Sequence, residues 1–333
     1  GMRRLPAAPA PRTWLLGALA LALAALPASE ALAKEKLVPV AQNQMHRSDQ
    51  LGFNWDPSTH GVIRDGTNDC FDGAMNLKVN GGPYKSTQAM QTKDGTEYVL
   101  RGQVGDIAVT RRVRLDLVKG AARYVEVLQN KSKRAVTVTL EVTSQLGSSC
   151  QTVRTDQGRG VLNGPLEKGE SGVIAVHGGG SRPSVLFQLR SPRSKVVPQV
   201  QETNNRSFAF TWTVKIPAGK SAAVLHIVAQ RRWSGPPMGK QLKAEFDPFL
   251  DRKWAGGLPA AVRSALINHT GSAGGTEALT ATQAADAAIK EVARASDVER
   301  GDDSVVLNER DKPHKGEVTG VLIHVETRLG QAE

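Results

Sequence analysis

The chain has 333 residues, of which 43 are basic and 32 acidic, so its formal charge is +11. It has two cysteines, with no C-x-x-C pair and no Cys/His cluster, which excludes the common structural zinc sites. Aromatic residues make up 5% of the chain, so few of them are available as exposed platforms for sugar rings.

Residues 2–33 have the pattern of a cleavable secretory signal peptide. Arginines precede an uninterrupted apolar run from Trp14 to Leu26, and the segment ends in Ala31-Leu32-Ala33. Small residues at positions −3 and −1 predict cleavage before Lys34. The apolar run has 13 residues. A helix needs ~20 residues to cross a bilayer, which favours a removed signal over a membrane anchor.

The signal predicts export by the general secretory route, to the periplasm or the medium. The pair Arg3-Arg4 lacks the rest of a twin-arginine signature, and no cysteine follows the apolar run to carry a lipid. No second apolar run reaches membrane length, so no membrane span is predicted.

Export also affects which anionic partners the positive charge favours. Removing residues 1–33 leaves 40 basic and 31 acidic residues, a formal charge of +9. Such a charge favours anionic partners, and outside the cytosol these are acidic polysaccharide or the envelope surface rather than nucleic acid. The basic residues are spread along the chain, which is also the pattern of an ordinary solvated surface.

Period-two alternation of apolar and polar residues dominates residues 36–232. Val136, Val138 and Leu140 alternate with threonines, which places one strand face in a core and the other in water. Turn signals separate such runs without intervening helices. The pattern predicts a mainly β fold, an antiparallel β-sandwich of about ten to twelve strands, large enough for a supersandwich. The clearest runs are, in chain order, 75–79, 107–115, 136–142, 185–189 and 208–214.

The strand pattern ends at residues 233–237, which we interpret as a domain boundary. Beyond it, a short helix is expected near 259–267, and a longer one follows the capping-box pattern of Thr280 and Gln283. The last segment is too short to bury a core alone, so we expect it to dock on the sandwich or to begin a module that continues past Glu333. The predicted segments are a signal peptide (1–33), a β-sandwich (34–235), a helical segment (236–300) and a short β segment (301–333).

Residues 65–73 read Asp-Gly-Thr-Asn-Asp-Cys-Phe-Asp-Gly and are followed by Leu77-Lys78-Val79-Asn80-Gly81. Together with the runs at 109–113 and 146–148, they resemble a β-sandwich domain of exported bacterial proteins that carries a D-G-[ST]-N-D-x-F-D-G signature. The resemblance covers residues 65–150. It implies an extracellular module of unassigned activity within larger exported proteins.

Cys70 and Cys150 are the two cysteines. In an oxidising compartment, an even count predicts one disulfide between them, and two separately buried thiols are the alternative. Closing a loop of ~80 residues would stabilise the fold by about 4–5 kcal/mol in the chain-entropy model. The domain that the sequence resembles is expected to hold Ala and Asp at these positions. If it brings the two positions together, the bridge is favoured.

Asp65, Asn68, Asp69 and Asp72 form the densest group of oxygen ligands in the chain. Calcium prefers six to eight hard oxygens, and a glycine-containing loop with closely spaced Asp and Asn can supply several. The spacing is not that of an EF-hand. Asp and Asn in loops also bond to their own backbone in turns, so the loop is either a calcium site or a hydrogen-bonded turn. Calcium is the only cofactor that the sequence suggests.

Arg111 stands on the apolar face of its strand, since Val109 and Val113 share that face at period two. A buried guanidinium requires a carboxylate, because an unpaired buried charge is costly. We therefore expect Arg111 to form a structural ion pair with Asp65, Asp69 or Asp72 and to fix that loop.

Trp55 and Trp233 lie in loop-rich regions and are the candidate platforms for a sugar ligand, although such residues also plug the ends of sandwiches. His226 lies in a run that is apolar on both faces, where a lone histidine is typically a core residue. Residues 177–181 read His-Gly-Gly-Gly-Ser, like an esterase oxyanion loop, but no G-x-S-x-G nucleophile accompanies them.

The leading interpretation is a non-catalytic exported module, binding or structural, that acts on anionic envelope components or other exported proteins. One alternative is a carbohydrate-active enzyme with a mutarotase-like or lyase-like sandwich. Another is a calcium-stabilised adhesion domain. A cleft that gathers acidic residues with His and Tyr or Arg would favour the enzyme. The sequence nominates no catalytic residue.

Overall fold

A computed structural model describes residues 35–160, 163–250 and 252–269. The predicted signal peptide, the helix that follows Thr280 and the β segment at 301–333 lie outside the described residues.

The described residues form seventeen strands, most of them between four and eleven residues long. In chain order they are β1 Leu37–Pro39, β2 Arg47–Ser48, β3 Asn54–Trp55, β4 Asn76–Val79, β5 Gly82–Pro83, β6 Ser86–Thr92, β7 Glu97–Val104, β8 Ile107–Asp116, β9 Ala121–Asn130, β10 Val136–Gln145, β11 Thr152–Thr155, β12 Asn163–Pro165, β13 Gly172–Val176, β14 Ser184–Gln188, β15 Gln199–Thr203, β16 Ser207–Ile216 and β17 Ser221–Arg231.

Most of the strands form a large sheet and a smaller sheet. Within each of these sheets, every pair of neighbouring strands is antiparallel. The nine-stranded sheet has the order β1-β6-β7-β8-β9-β17-β14-β13-β11, and the six-stranded sheet has the order β12-β15-β16-β10-β4-β5. A separate two-stranded ribbon pairs β2 with β3. The predicted antiparallel β-sandwich is confirmed.

The main core lies between the two large sheets. In β10, Val138, Leu140 and Val142 are buried and the intervening Thr139 and Glu141 are partly exposed, as the alternation predicts. In β16, Phe210 and Trp212 are fully buried and contact the same core. One face of each of these strands therefore packs in the core.

The outer face of the nine-stranded sheet carries a second core, covered by the segment that follows β17. This segment contains helix α1 (Gly239–Phe246), helix α2 (Ala260–Ala265), and 3-10 turns at Asp247–Phe249 and Arg252–Ala255. Another 3-10 turn lies at Gln42–Gln44. No helix among the described residues is long and apolar enough to span a membrane. The second core joins β9, β13, β14 and β17 to these helices.

A buried ionic network ties the outer face of β7, β8 and β9 together. The carboxylate of Glu97 binds the guanidinium groups of both Arg112 and Arg123. Glu35 binds Arg112 with both oxygens, at 2.7 and 2.8 Å. Arg123 also donates to the Trp254 carbonyl at 2.8 Å, which connects the network to the helical segment.

Candidate functional site

Four connections meet at one end of the sandwich: residues 65–73, 146–151, 177–183 and 232–234. Asn68 Nδ2 donates to the Ser181 carbonyl at 2.8 Å, across 113 positions of the chain. Arg182 Nη2 binds Asp69 at 2.9 Å, and its Nη1 donates to Ser148 Oγ at 2.5 Å. We call these four segments the loop cluster.

The loop cluster depends on a close approach at Gly147. Its backbone N–H donates to the Cys70 carbonyl at 3.1 Å. A Cβ at position 147 would lie 1.8 Å from the Asp69 carbonyl oxygen, far inside van der Waals contact. Only glycine therefore allows the 65–73 loop to lie against this segment.

A cleft of about 490 Å³ opens in the loop cluster. Trp233 lines it and is partly buried, because it also packs on the edge of the second core. We call this depression the Trp233 cleft. Its lining residues are Asn68, Gly179, Gly180, Ser181, Arg182, Arg232, Trp233 and Ser234.

The Trp233 cleft combines an aromatic ring with two guanidinium groups and small polar groups. Arg232 stacks over the Phe53 ring, 5.2 Å from its centroid, and its Nη2 makes a long 3.5 Å contact with the Gly52 carbonyl. Arg182, on the β13–β14 connection, lines the same cleft. Such a set of groups can hold a polar, ring-shaped ligand with negative charge.

The oxygen-rich loop at 65–72 is stabilised by arginines and turns. Asp69 binds Arg182, and Asp72 binds Arg206 at 3.0 Å. The backbone N–H of Asp65 donates to a carboxylate oxygen of Asp56 at 3.0 Å. Within the described residues, no group of three or more His, Cys, Asp or Glu side chains is arranged to hold a metal ion. Calcium binding here stays a prediction, to be tested by thermal unfolding with calcium and with EDTA.

The predicted disulfide is wrong, because Cys70 and Cys150 are both free, buried thiols. The Cys70 thiol donates to the Pro183 carbonyl at 3.4 Å. Burial raises the pKa of both thiols, that of Cys150 to about 12, and keeps them protonated.

Trp55 is not a ligand platform. Its side chain is 1% exposed and its Nε1 donates to Asp49 Oδ2 at 2.8 Å. The same carboxylate group accepts the backbone N–H groups of Leu51 and Phe53, so the tryptophan closes a tight turn. The other candidate platform, Trp233, is partly buried and lines a cleft of the described residues.

Arg111 is fully buried on the inner face of β8, as expected, but its partner is not in the 65–72 loop. It pairs with Glu126, whose Oε1 lies 3.1 Å from Arg111 Nε. The two residues are directly opposite each other in the β8–β9 register, which brings them together without any loop. The expected pairing with Asp65, Asp69 or Asp72 is therefore wrong.

Glu126 and Arg111 belong to a larger polar cluster in the centre of the sandwich. His226 Nε2 lies 3.0 Å from Glu126 Oε1, and the His226 ring stacks on Tyr124 at 5.3 Å and on Trp212 at 5.7 Å. Burial lowers the pKa of His226, and it raises the pKa of Tyr124. We call Arg111, Tyr124, Glu126 and His226 the inner cluster. Several of its buried polar atoms lack a protein partner, including Arg111 Nη2, Glu126 Oε2 and His226 Nδ1.

The 58–62 turn covers the inner cluster. Arg111 Nη1 donates to the His60 carbonyl at 3.2 Å, and the Tyr124 hydroxyl donates to the Gly61 carbonyl at 2.9 Å. A Cβ at Gly61 would lie 2.9 Å from Arg111 Cδ, so glycine is needed for this contact. Sequence reasoning missed Glu126, although a glutamate within the apolar run 124–128 is a signal of the same kind as Arg111.

A second cleft, of about 410 Å³, lies beside β7 and β8. Its acidic residues are used in turns: Asp94 accepts from Thr92 Oγ1 at 2.6 Å, and Asp116 accepts the backbone N–H of Lys119 at 2.9 Å. Its aromatic residue, Tyr98, is buried. This cleft therefore offers no aromatic platform.

No family model matches the chain, and no curated protein sequence matches it either. Among solved structures, a heparan sulfate lyase mutant from Pedobacter heparinus matches 49% of this chain and 25% of its own, at 16% identity and a TM-score of 0.31. A protein described as an aldose 1-epimerase from Klebsiella pneumoniae matches 50% of this chain and 58% of its own, at 9% identity and a TM-score of 0.34. The Slr1438 protein from Synechocystis sp. PCC 6803 matches 60% of this chain and 96% of its own, at 11% identity and a TM-score of 0.33. The match spans only about a quarter of the lyase.

Proposed function

We propose that this protein is an exported, non-catalytic carbohydrate-binding β-sandwich that holds its ligand in the Trp233 cleft. The observation that carries the proposal is the position of Trp233, a partly buried indole that lines an open cleft beside two arginines. A sugar ring stacks on an aromatic face, and polar groups around the ring fix its orientation.

The other lining groups fit such a ligand. Ser181, Ser234 and Asn68 are exposed and polar, and the glycines at 179 and 180 bring main chain to the surface. The signal-peptide pattern and the positive charge of the mature chain support a ligand outside the cytosol. Envelope or extracellular polysaccharide meets both requirements.

The test is calorimetric binding of the purified protein to a panel of neutral and acidic oligosaccharides. We expect Trp233→Ala to weaken binding by about tenfold or more, because a stacked indole contributes more than 1 kcal/mol. Met238→Ala is the matched control, since Met238 is exposed and apolar but does not line the cleft. Equal binding by wild type and Trp233→Ala would exclude the cleft as the site.

A second candidate function, a carbohydrate-active enzyme, is favoured by the inner cluster. A carboxylate, an imidazole, a guanidinium and a phenol meet there, which are groups that general acid–base catalysis uses. All four side chains are fully buried, so a substrate could reach them only if the 58–62 turn moved away.

Incubation with aldoses and polysaccharides, followed by NMR of the products, tests this second candidate. An enzyme that uses the inner cluster should lose its turnover in Glu126→Gln, and Trp233→Ala should leave the chemical step intact. Turnover that persists in Glu126→Gln would remove the inner cluster from consideration as an active site.

A further inference from the structure

We propose that Arg232 binds an anionic group on the bound sugar, so that the Trp233 cleft selects carboxylated or sulfated glycans over neutral ones. This inference rests on the proposed function and adds the ligand class and the residue that determines it. It follows from a difference between the two arginines of the cleft.

All three guanidinium nitrogens of Arg182 already donate hydrogen bonds within the loop cluster. Its Nε donates to the Asn68 carbonyl at 3.3 Å, its Nη1 to Ser148 Oγ at 2.5 Å and its Nη2 to Asp69 at 2.9 Å. Its charge is balanced by that carboxylate. Arg182 is therefore a positioning residue, which holds the 177–183 loop against the 65–73 loop.

Arg232 has no such partner. No carboxylate of the described residues forms an ion pair with it, and its closest polar contact is the long one to the Gly52 carbonyl. The guanidinium is exposed, and its stacking over Phe53 limits its rotation. A charge that is oriented in advance and not neutralised by the protein binds an anion with little ordering cost.

The arrangement around Arg232 sets the class of ligand. The Arg182–Asp69 pair contributes no net charge, so Arg232 leaves the cleft with one uncompensated positive charge. Trp233 follows Arg232 directly in the chain and supplies an aromatic surface in the same cleft. A planar guanidinium pairs with the two oxygens of a carboxylate or a sulfate, so the ligand is a sugar that carries one of these groups.

Matched ligands that differ only in charge test the inference. The probes are trigalacturonate and triglucuronate, each with its neutral methyl ester, and sulfated dextran oligosaccharide with plain dextran oligosaccharide. We expect the wild-type protein to bind the charged member of its preferred pair about tenfold more tightly, as a charge-assisted pair of hydrogen bonds implies. The preference should shrink as salt rises from about 0.05 M to about 0.5 M.

The variants separate the roles of the two arginines. Arg232→Gln should abolish the preference for charge and leave the affinity for the neutral member within about twofold. Arg182→Gln should weaken both members equally, because it loosens the loop cluster. Rescue of the preference in Arg232→Lys would add support, since lysine keeps the charge.

Several outcomes would overturn the inference, and the first two of them leave the proposed function intact. A preference that survives Arg232→Gln, or wild-type protein that binds the neutral members equally well, contradicts the inference but leaves carbohydrate binding intact. Inorganic sulfate alone that binds as tightly as the charged oligosaccharide would make the cleft a free oxyanion site. No binding to any member of the panel would overturn both the inference and the proposed function.

Discussion

His226 shows how the fold treats a titratable group in the centre of its core. The ring lies between Tyr124 and Trp212, and its Nε2 faces Glu126 Oε1 at 3.0 Å. An ionised carboxylate only accepts hydrogen bonds, so the tautomer that satisfies this contact is the one with a proton on Nε2. Burial disfavours the charged imidazolium and the Arg111 charge opposes it further, although Glu126 partly offsets both, and the pKa of His226 is lowered.

The lowered pKa of His226 predicts a loss of stability in mild acid. The unfolded chain takes up a proton at this histidine near pH 6.5, whereas the folded protein does so only at lower pH. The contribution is therefore fully present above about pH 6.5, and it is lost as pH falls, by at most about 1.4 kcal/mol per unit. Urea unfolding of the wild-type protein between about pH 5 and pH 7.5 measures this slope.

The slope should become shallower in His226→Gln. His177 also has a pKa lowered by burial, so His177→Gln is the matched control that should keep the part of the slope due to His226. An unchanged slope in His226→Gln would show that this residue does not titrate as the structure requires.

The buried carboxylate of Glu97 gives a second prediction for a single residue, a loss of stability when it is removed. Its carboxylate binds both Arg112 and Arg123, and all three side chains are buried. Removing a partner from a buried ion pair typically costs 3–5 kcal/mol, so we expect Glu97→Ala to lower the free energy of unfolding by about that much. Glu141→Ala is the control, since the Lys78–Glu141 pair is partly exposed and should contribute ~1 kcal/mol or less. Equal effects of the two substitutions in urea unfolding would contradict this account of the network.

At the scale of elements, the helical segment completes the nine-stranded sheet. In α1, Leu242 and Phe246 stand four residues apart and are buried, and both belong to the second core. In β17, Leu225 and Ile227 face this second core, and His226 faces the main core between the sheets, where it stacks on Trp212. The strand is buried on both faces because a helical layer covers one of them.

Phe246→Ala measures the contribution of that layer. Truncating a buried phenylalanine typically costs 3–5 kcal/mol, and we expect a destabilisation of that order in thermal or urea unfolding. Lys243→Ala lies on the exposed face of the same helix and should change stability by less than about 0.5 kcal/mol. If Phe246→Ala is as mild as Lys243→Ala, the helices contribute little to the stability of the sheet.

The sequence predicts elements better than it predicts contacts between loops. Val138, Leu140 and Val142 reveal a strand because one face alone packs in the core, and period two follows from that geometry. The partner of Arg111 depends on strand register, and the burial of Trp55 depends on a turn that presents Asp49. Neither the strand register nor the turn produces a periodic pattern in the local sequence. The loop cluster joins residues 113 positions apart and follows from strand order, which a single sequence does not specify.

At the scale of the whole molecule, the two large sheets of the described residues form a scaffold that buries the inner cluster and has the Trp233 cleft among the loops at one end. The inner cluster is covered by the 58–62 turn, whereas the Trp233 cleft contains Arg232, which forms no ion pair with a carboxylate of the described residues. The formal charge of the chain, +11, would add long-range attraction for an acidic polysaccharide. The ligand is therefore expected at the loop end of the sandwich.

Hydrogen–deuterium exchange, with and without a saturating oligosaccharide from the binding panel, tests this placement most directly. Glycan binding in the Trp233 cleft predicts slower exchange in residues 66–70, 177–183 and 232–234, with little change elsewhere. Protection confined to residues 94–98 and 114–118 would place the ligand in the second cleft, and protection at 58–62 would place it over the inner cluster. Either result would contradict the assignment of the loop end as the carbohydrate site.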